Sequence, residues 1–263
     1  MIMVQRFSVA VPLCDQSTEI RTVYLYLPSS YDAEPEKRYP VLYMFDGHNV
    51  FFDSDATYGK SWGLADYLDR HQVPLIVAAV ECNHNPNHGR LKEYAPFDFC
   101  VPEVGLITGH GKETMDWFIT SFKPQIDRTY RTLADREHTY IAGSSMGGLM
   151  SLYALTSYAS VFSRAAALSP SLWIAPEKVL DLIARSPSYE PGLCSAPVLY
   201  MDYGSEELTQ RPGAAAAFSQ TAAALFKKNI LLNCRIIPGG THCEASWERQ
   251  IPFFINTLLY ERR

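Results

Sequence analysis

The sequence predicts a doubly wound α/β architecture, with one twisted, mostly parallel sheet and helices on both faces. Three observations carry that prediction. Short continuous apolar runs recur at residues 41–45, 75–80, 165–168 and 198–203, as strands buried on both faces require. Segments with helical apolar spacing fall between and after them, at 63–70, 114–129, 177–184, 214–228 and 246–259. No repeat, linker or break in composition divides the chain, so residues 1–263 are expected to form a single domain.

The elements follow in order. Residues 4–11 and 21–27 alternate and are rich in β-branched and aromatic side chains, which reads as two antiparallel strands leading in. A polar connection with three prolines joins them to the apolar run 41–45, which ends in the sharp turn Asp46-Gly47-His48-Asn49. After the helix at 63–70 and the strand at 75–80, residues 81–111 are polar and lack periodicity. They are expected to form a long surface excursion of the kind that tends to serve function. In 114–129 the apolar positions Met115, Phe118, Ile119, Phe122 and Ile126 share one helical face, which Pro124 is expected to bend. Residues 232–237 make the last strand, and 246–259 a closing amphipathic helix.

Composition excludes several classes. Hydrophobic residues make up 47% of the chain and charged residues 19%, which suits a large buried core and not a disordered segment. A net charge of −5 without long like-charge runs gives no basic face for nucleic acid. No apolar run approaches a membrane span, and residues 1–6 lack the features of a signal peptide. A cytoplasmic protein without a membrane partner is the resulting expectation. Six cysteines without a C-x-x-C pair read as free thiols. Oligomeric state is not legible, and a homo-oligomer stays open.

Chemistry concentrates at Gly143-Ser144-Ser145-Met146-Gly147, a G-x-S-x-G corner between a β-prone segment and a small-residue helix start. A serine on so tight a turn needs small residues two before and two after it. At a helix N-terminus, free N–H groups and the helix dipole favour a developing oxyanion. A serine is a weak nucleophile unless a base takes its proton and an acid orients that base. Of seven histidines only His242 follows Ser145, just past the strand at 232–237. The acid is expected after the preceding strand, where Glu206 and Glu207 stand next to each other and Asp202 is a third, less suited choice within the strand. Oxyanion donors are expected from the backbone N–H of Met146 and, on the Asp46-Gly47-His48 turn, of His48.

At this point the chain resembles the family that groups esterase D, feruloyl and acetylxylan esterases, enterochelin (siderophore) esterases and mycolyltransferases. The blocks that carry the likeness are 41–52, Arg90-Leu91-Lys92-Glu93-Tyr94-Ala95-Pro96, 142–148, Ser169-Pro170-Ser171-Leu172-Trp173, 203–207 and Gly240-Thr241-His242 through Trp247. The resemblance spans roughly residues 20–259. It implies an α/β-hydrolase fold with Ser145 as nucleophile, His242 as base, and Met146 and His48 as oxyanion donors. By the family's Gly-x-x-acid spacing it implies Glu207 as orienting acid, with Glu206 the fallback. Relatives often carry Gln where this chain has His48. The expected reaction is hydrolysis of a small-molecule carboxylic ester, for instance an acetyl or feruloyl ester of a carbohydrate, through an acyl-serine and without any cofactor. A siderophore ester is the alternative substrate, and a non-catalytic binding protein on the same fold the alternative class.

Trp62, Trp173 and Trp247 sit beside the expected site loops and are candidates for lining a pocket, against the ordinary reading of buried core. Arg90 is a candidate for meeting an acidic group on the substrate, against a structural ion pair with Glu93. His84 and His88, with Cys82 nearby, have metal-like spacing, but Pro86 interrupts them and no second ligand cluster follows, so no metal site is expected. Residues 53–57 lack the glycine and closing glutamate of a calcium loop.

Overall fold

A computed structural model describes residues 3–13, 17–102, 104–190 and 196–260. Strands β1 (Met3–Pro12) and β2 (Thr18–Leu27) form the expected antiparallel lead-in. They are followed by β3 (Val41–Met44), helix α1 (Leu64–Arg70), β4 (Ile76–Val80), α2 (Gly89–Glu93), and the short strands β5 (Phe99–Val101) and β6 (Gly105–Ile107). Then come α3 (Gly111–Trp117), α4 (Lys123–Thr129), β7 (Thr139–Ser144), α5 (Met146–Ser157), β8 (Arg164–Leu168) and α6 (Pro176–Arg185). The chain closes with β9 (Val198–Gly204), α7 (Ser205–Gln210), α8 (Ala214–Lys227), β10 (Leu231–Ile237), α9 (Glu244–Glu248) and α10 (Ile251–Leu259).

Eight strands form one sheet in the order β1-β2-β4-β3-β7-β8-β9-β10. It is antiparallel at β1, β2 and β4 and parallel from β4 through β10. Both faces of the sheet are covered, which explains the unbroken apolar runs. Tyr43 and Ile141 point into a core shared with α3–α5, α6 and α8, while Leu42 and Tyr140 point into a second core against α1 and α10. Under β3 the ring of Tyr43 meets Phe118, Phe122 and Phe162 edge-on, contacts of about 0.5–1.5 kcal/mol each beyond the area they bury.

Three departures from the expected elements have local causes. Residues 81–111 are an inserted wall and not a bare excursion: α2 and the β5–β6 hairpin lie within them, and Tyr94, Ala95 and Ile107 are buried. Periodicity missed this because short elements anchored by polar contacts carry no long apolar stripe. The helix near 114–129 is interrupted by a π-turn at Phe118–Phe122, where the Lys123 N–H reaches the Phe118 carbonyl five residues back. Pro124, which has no N–H to offer, follows at once and sits in the first turn of α4. The closing helix is split into α9 and α10, with Pro252 in the first turn of the second. Among the described residues no helix is long and apolar enough to cross a membrane. Cys82, Cys100, Cys234 and Cys243 are free thiols. The same expectation for Cys14 and Cys194 lies outside the described residues.

Candidate active site

Ser145 stands between β7 and α5 with φ 58° and ψ −119°, a conformation that a side-chain-bearing residue adopts only where its surroundings force it. Its N–H donates to the Leu168 carbonyl (2.9 Å), and its carbonyl accepts from Leu149 (3.0 Å) and Ser171 (3.0 Å). The corner closes tightly: a Cβ on Gly143 would lie 2.7 Å from the Gly147 carbonyl carbon. Any larger residue at 143 would push the turn open. Met146 begins α5, so its N–H belongs to the first turn, where no intrahelical acceptor exists. The Ser145 hydroxyl lies 3.4 Å from that of Ser171 and, among the described residues, is not bonded to the His242 imidazole. Ser145 and His242 nonetheless line the same cavity, of about 440 Å³.

Glu207 and His242 arrive from the ends of β9 and β10. Two glycines let their loops touch, since a Cβ on Gly204 would lie 2.1 Å from the Gly240 carbonyl oxygen. Cross-bonds fix the contact: the Glu206 N–H donates to Gly240 O (3.1 Å) and the Gly239 N–H to Ser205 Oγ (2.9 Å). Glu207 is buried, and its Oε2 accepts from His242 Nδ1 at 2.6 Å. Its Oε1 accepts from Ser169 Oγ (2.6 Å) and the Gly204 N–H (3.1 Å). Burial alone would raise the Glu207 pKa, but the bonds from His242, Ser169 and Gly204 outweigh it and hold the carboxyl below its ordinary range. An ionised Glu207 needs a donor on Nδ1. That tautomer leaves the His242 Nε2 lone pair free to accept a proton. Glu206 points outward and is exposed, so of the adjacent glutamates only Glu207 meets the histidine.

The third strand end carries the turn at 46–48. Asp46 adopts a left-handed conformation (φ 56°), and its carboxylate takes a bidentate grip from Arg90 (Nε–Oδ1 2.7 Å, Nη2–Oδ2 2.8 Å). Burial would raise the Asp46 pKa, and the Arg90 guanidinium overcomes this and holds the group below its usual value. The Asp46 N–H donates to the Tyr94 hydroxyl (3.3 Å). His48 is buried at the cavity wall, its Nε2 3.1 Å from Thr57 Oγ1 and its ring 5.0 Å from that of His84. Burial, chiefly, depresses its pKa and keeps the ring neutral.

The structure thus brings Ser145, His242, Glu207, Met146, His48 and Arg90 to one region, and the tryptophans divide. Trp247 lines the cavity, stands edge-on to the His242 ring at 5.2 Å, and donates from Nε1 to Ser169 Oγ (3.0 Å). Trp62 is packed in the core against Trp247 and Phe254, away from the cavity lining. Trp173 is partly exposed, with the Arg211 guanidinium over its ring, and is likewise off the cavity lining. Arg90 borders the cavity but pairs with Asp46, while Glu93 pairs with Arg21 (2.6 Å). Sequence reasoning gave Ser169 no role, although it joins Glu207 to Trp247. Its signal was the Ser-Pro-Ser turn directly after an apolar strand.

A parallel sheet in this strand order, with a strained serine where its central strand turns into a helix, is the α/β-hydrolase fold, and the class of protein is a serine hydrolase. Residues 17–252 match the family model described as putative esterase, and the chain belongs to that family as a serine ester hydrolase. The protein YbbA of Bacillus subtilis (strain 168), described as uncharacterized, is 27% identical over 194 residues, covering 71% of this chain and 69% of that protein. Solved structures share the fold at lower identity. An IroE-like serine hydrolase from Shewanella oneidensis superposes with TM-score 0.68 at 22% identity, covering 95% of this chain and 79% of that one. A ferulic acid esterase gives 0.66 at 18% with 97% of each chain covered. The siderophore hydrolase EstB from Aspergillus nidulans gives 0.67 at 18%, with 98% and 97% covered.

Proposed function

We propose that the protein hydrolyses small, polar carboxylic esters by two-step acyl transfer with Ser145 as nucleophile. His242 Nε2 takes the Ser145 proton as Oγ attacks the ester carbonyl, and the Nδ1–H to Glu207 bond stabilises the imidazolium that forms. The N–H groups of Met146 and His48 receive the negative oxygen. The imidazolium protonates the departing alkoxide, water then attacks the acyl-serine with His242 again as base, and the acid leaves. What carries the reading is the 2.6 Å bond between buried Glu207 and His242, on the same cavity as the strained serine.

The cavity's polar lining supports a polar substrate over a lipid ester: Asn49, Thr57, Asn83, Asn85, His84 and Arg90 face it together with the Trp247 ring. An acetyl or feruloyl ester of a carbohydrate satisfies this, and so does a siderophore ester, with siderophore hydrolases among the proteins that share the fold. A fluorophosphonate probe tests the chemistry. One label per chain is expected, absent from Ser145→Ala, and failure to label the native protein overturns the proposal. A panel of acetyl, butyryl and feruloyl esters beside a catecholate siderophore triester decides the substrate class by kcat/KM.

A further inference from the structure

Cys82, two residues past β4, and nearby His84 stand close to His48, which belongs to the turn after β3. One ligand atom from each lies within 4.8 Å of the other two. Among the described residues, the His48 Nδ1 is one of few buried polar atoms without a hydrogen-bond partner. Leaving such a nitrogen without a partner is costly, so it calls for an explanation. With Nε2 engaged to Thr57 Oγ1 at 3.1 Å, Nδ1 is the nitrogen left for a ligand. We infer that His48 Nδ1, Cys82 Sγ and a ring nitrogen of His84 form a binding site for a thiophilic divalent cation of the zinc class.

The donor set is the right kind. Two imidazoles and a thiolate select zinc over magnesium or calcium, which take oxygen ligands. Around a tetrahedral ion such donors stand about 3.3–3.8 Å apart, so a small closing movement completes the site. Exposed His84 is free to make it, whereas His48, in the 47–49 turn, and Cys82, just past β4, are buried. The second layer is already present. A histidine that binds through Nδ1 carries its proton on Nε2, and here that N–H has Thr57 Oγ1 to donate to. Coordination breaks the hydrogen bond between the Cys82 thiol and the Asp46 carboxylate, releases the thiol proton to solvent and forms the metal–sulfur bond. His48 and His84 both line the cavity with Ser145, so the ion's fourth position faces that space. Sequence spacing set His84 beside His88, with Cys82 nearby, and led to the expectation of no metal site. His88 stands outside the cluster, and the third ligand comes from a turn 34 residues before Cys82.

Binding is measured without substrate, which keeps this test separate from the esterase reading. Chelator-treated protein is titrated with cobalt(II) and, by competition with a chromophoric chelator, with zinc. One ion per chain is expected, with a thiolate-to-cobalt charge-transfer band and intense tetrahedral d–d bands. Cys82→Ser should abolish the charge-transfer band, and His84→Ala should weaken zinc binding roughly 100-fold, while Cys243→Ser leaves both unchanged. His84 is exposed, so that variant tests the site even where Cys82→Ser fails to fold. Absence of a thiolate band, or a band lost in Cys243→Ser and kept in Cys82→Ser, overturns the assignment.

Discussion

The cavity is built from two regions of different construction. One is the row of parallel strand ends β7, β8 and β9–β10, which presents Ser145, Ser169, Glu207 and His242. Each of these residues sits within a few positions of a strand end, so the sheet fixes its place. The other is the wall made by the 46–48 turn and residues 81–111, held by contacts between residues distant in sequence: Arg90 to Asp46, Arg21 to Glu93, and Asp46 to Tyr94. The first region carries the proposed nucleophile, base and acid, and the second shapes what reaches them and offers the His48 N–H. The difference predicts separable effects: lesions at the strand ends lower kcat at native stability, and lesions in the wall lower stability or raise KM.

Ser145→Ala makes the largest test. Turnover should fall by roughly 10⁴–10⁶-fold with the fold intact, measured on an activated ester and by thermal unfolding. The substitution also relaxes nothing in the corner, because alanine has the same difficulty as serine at φ 58°. Glu207→Gln should follow, at about 10³–10⁴-fold in kcat, because the amide cannot hold His242 in the Nδ1–H tautomer as an ionised carboxylate does. Glu206→Gln should change activity by no more than about threefold, since that side chain is exposed. Equal losses for the two glutamates would erase the distinction between them.

In the wall, Arg90→Met strands a buried Asp46 carboxylate. The arginine side chain is 31% exposed, so water softens the loss, and about 2–3 kcal/mol of destabilisation in urea unfolding is expected. Asp46→Asn in the same chain should recover part of it, as a double-mutant cycle would show. KM should rise more than kcat falls. If Arg90→Met instead lowers kcat with KM unchanged, the ion pair positions the His48 N–H for the transition state and the division between regions fails.

The same contrast explains what the sequence revealed. Ser145, His242 and the glutamate pair were legible because their chemistry is tied to strand ends, and apolar runs mark strands directly. The choice between Glu206 and Glu207 rested on the resemblance's Gly-x-x-acid spacing. In the structure it follows from the first turn of α7, which turns Glu206 outward and Glu207 inward. The wall was not legible. Arg90 and Glu93, three apart on one short helix, suggested partners, yet each pairs with a residue more than forty positions away. Local spacing carries no record of such pairings. Trp62 and Trp173 were attractive for standing near site loops in sequence, but core packing and a guanidinium stack place them elsewhere.

A last expected effect sharpens the comparison inside the strand-end region itself. Asp202 lies five residues before Glu207 and is as deeply buried, but the two carboxyls shift in opposite directions. Glu207 has a cationic partner when His242 is charged. Asp202 is bonded by the Tyr200 hydroxyl (2.8 Å) and the Ser169 N–H (3.1 Å), and burial, which neither those bonds nor the Arg235 charge offsets, pushes its pKa up to about 7. A raised native pKa means that the folded protein binds this proton more tightly than the unfolded chain. The stabilisation is therefore complete below the ordinary carboxyl value of 3.8 and is lost as pH rises toward 7, at up to about 1.4 kcal/mol per pH unit. Asp202→Asn should flatten that part of the stability profile. The asparagine amide reproduces the protonated acid, donating to the Tyr200 hydroxyl, which in turn donates to Gln250 Oε1 (3.4 Å). Urea midpoints measured from pH 4 to 8 on both proteins check this. A slope that survives in Asp202→Asn would assign the titration to another group.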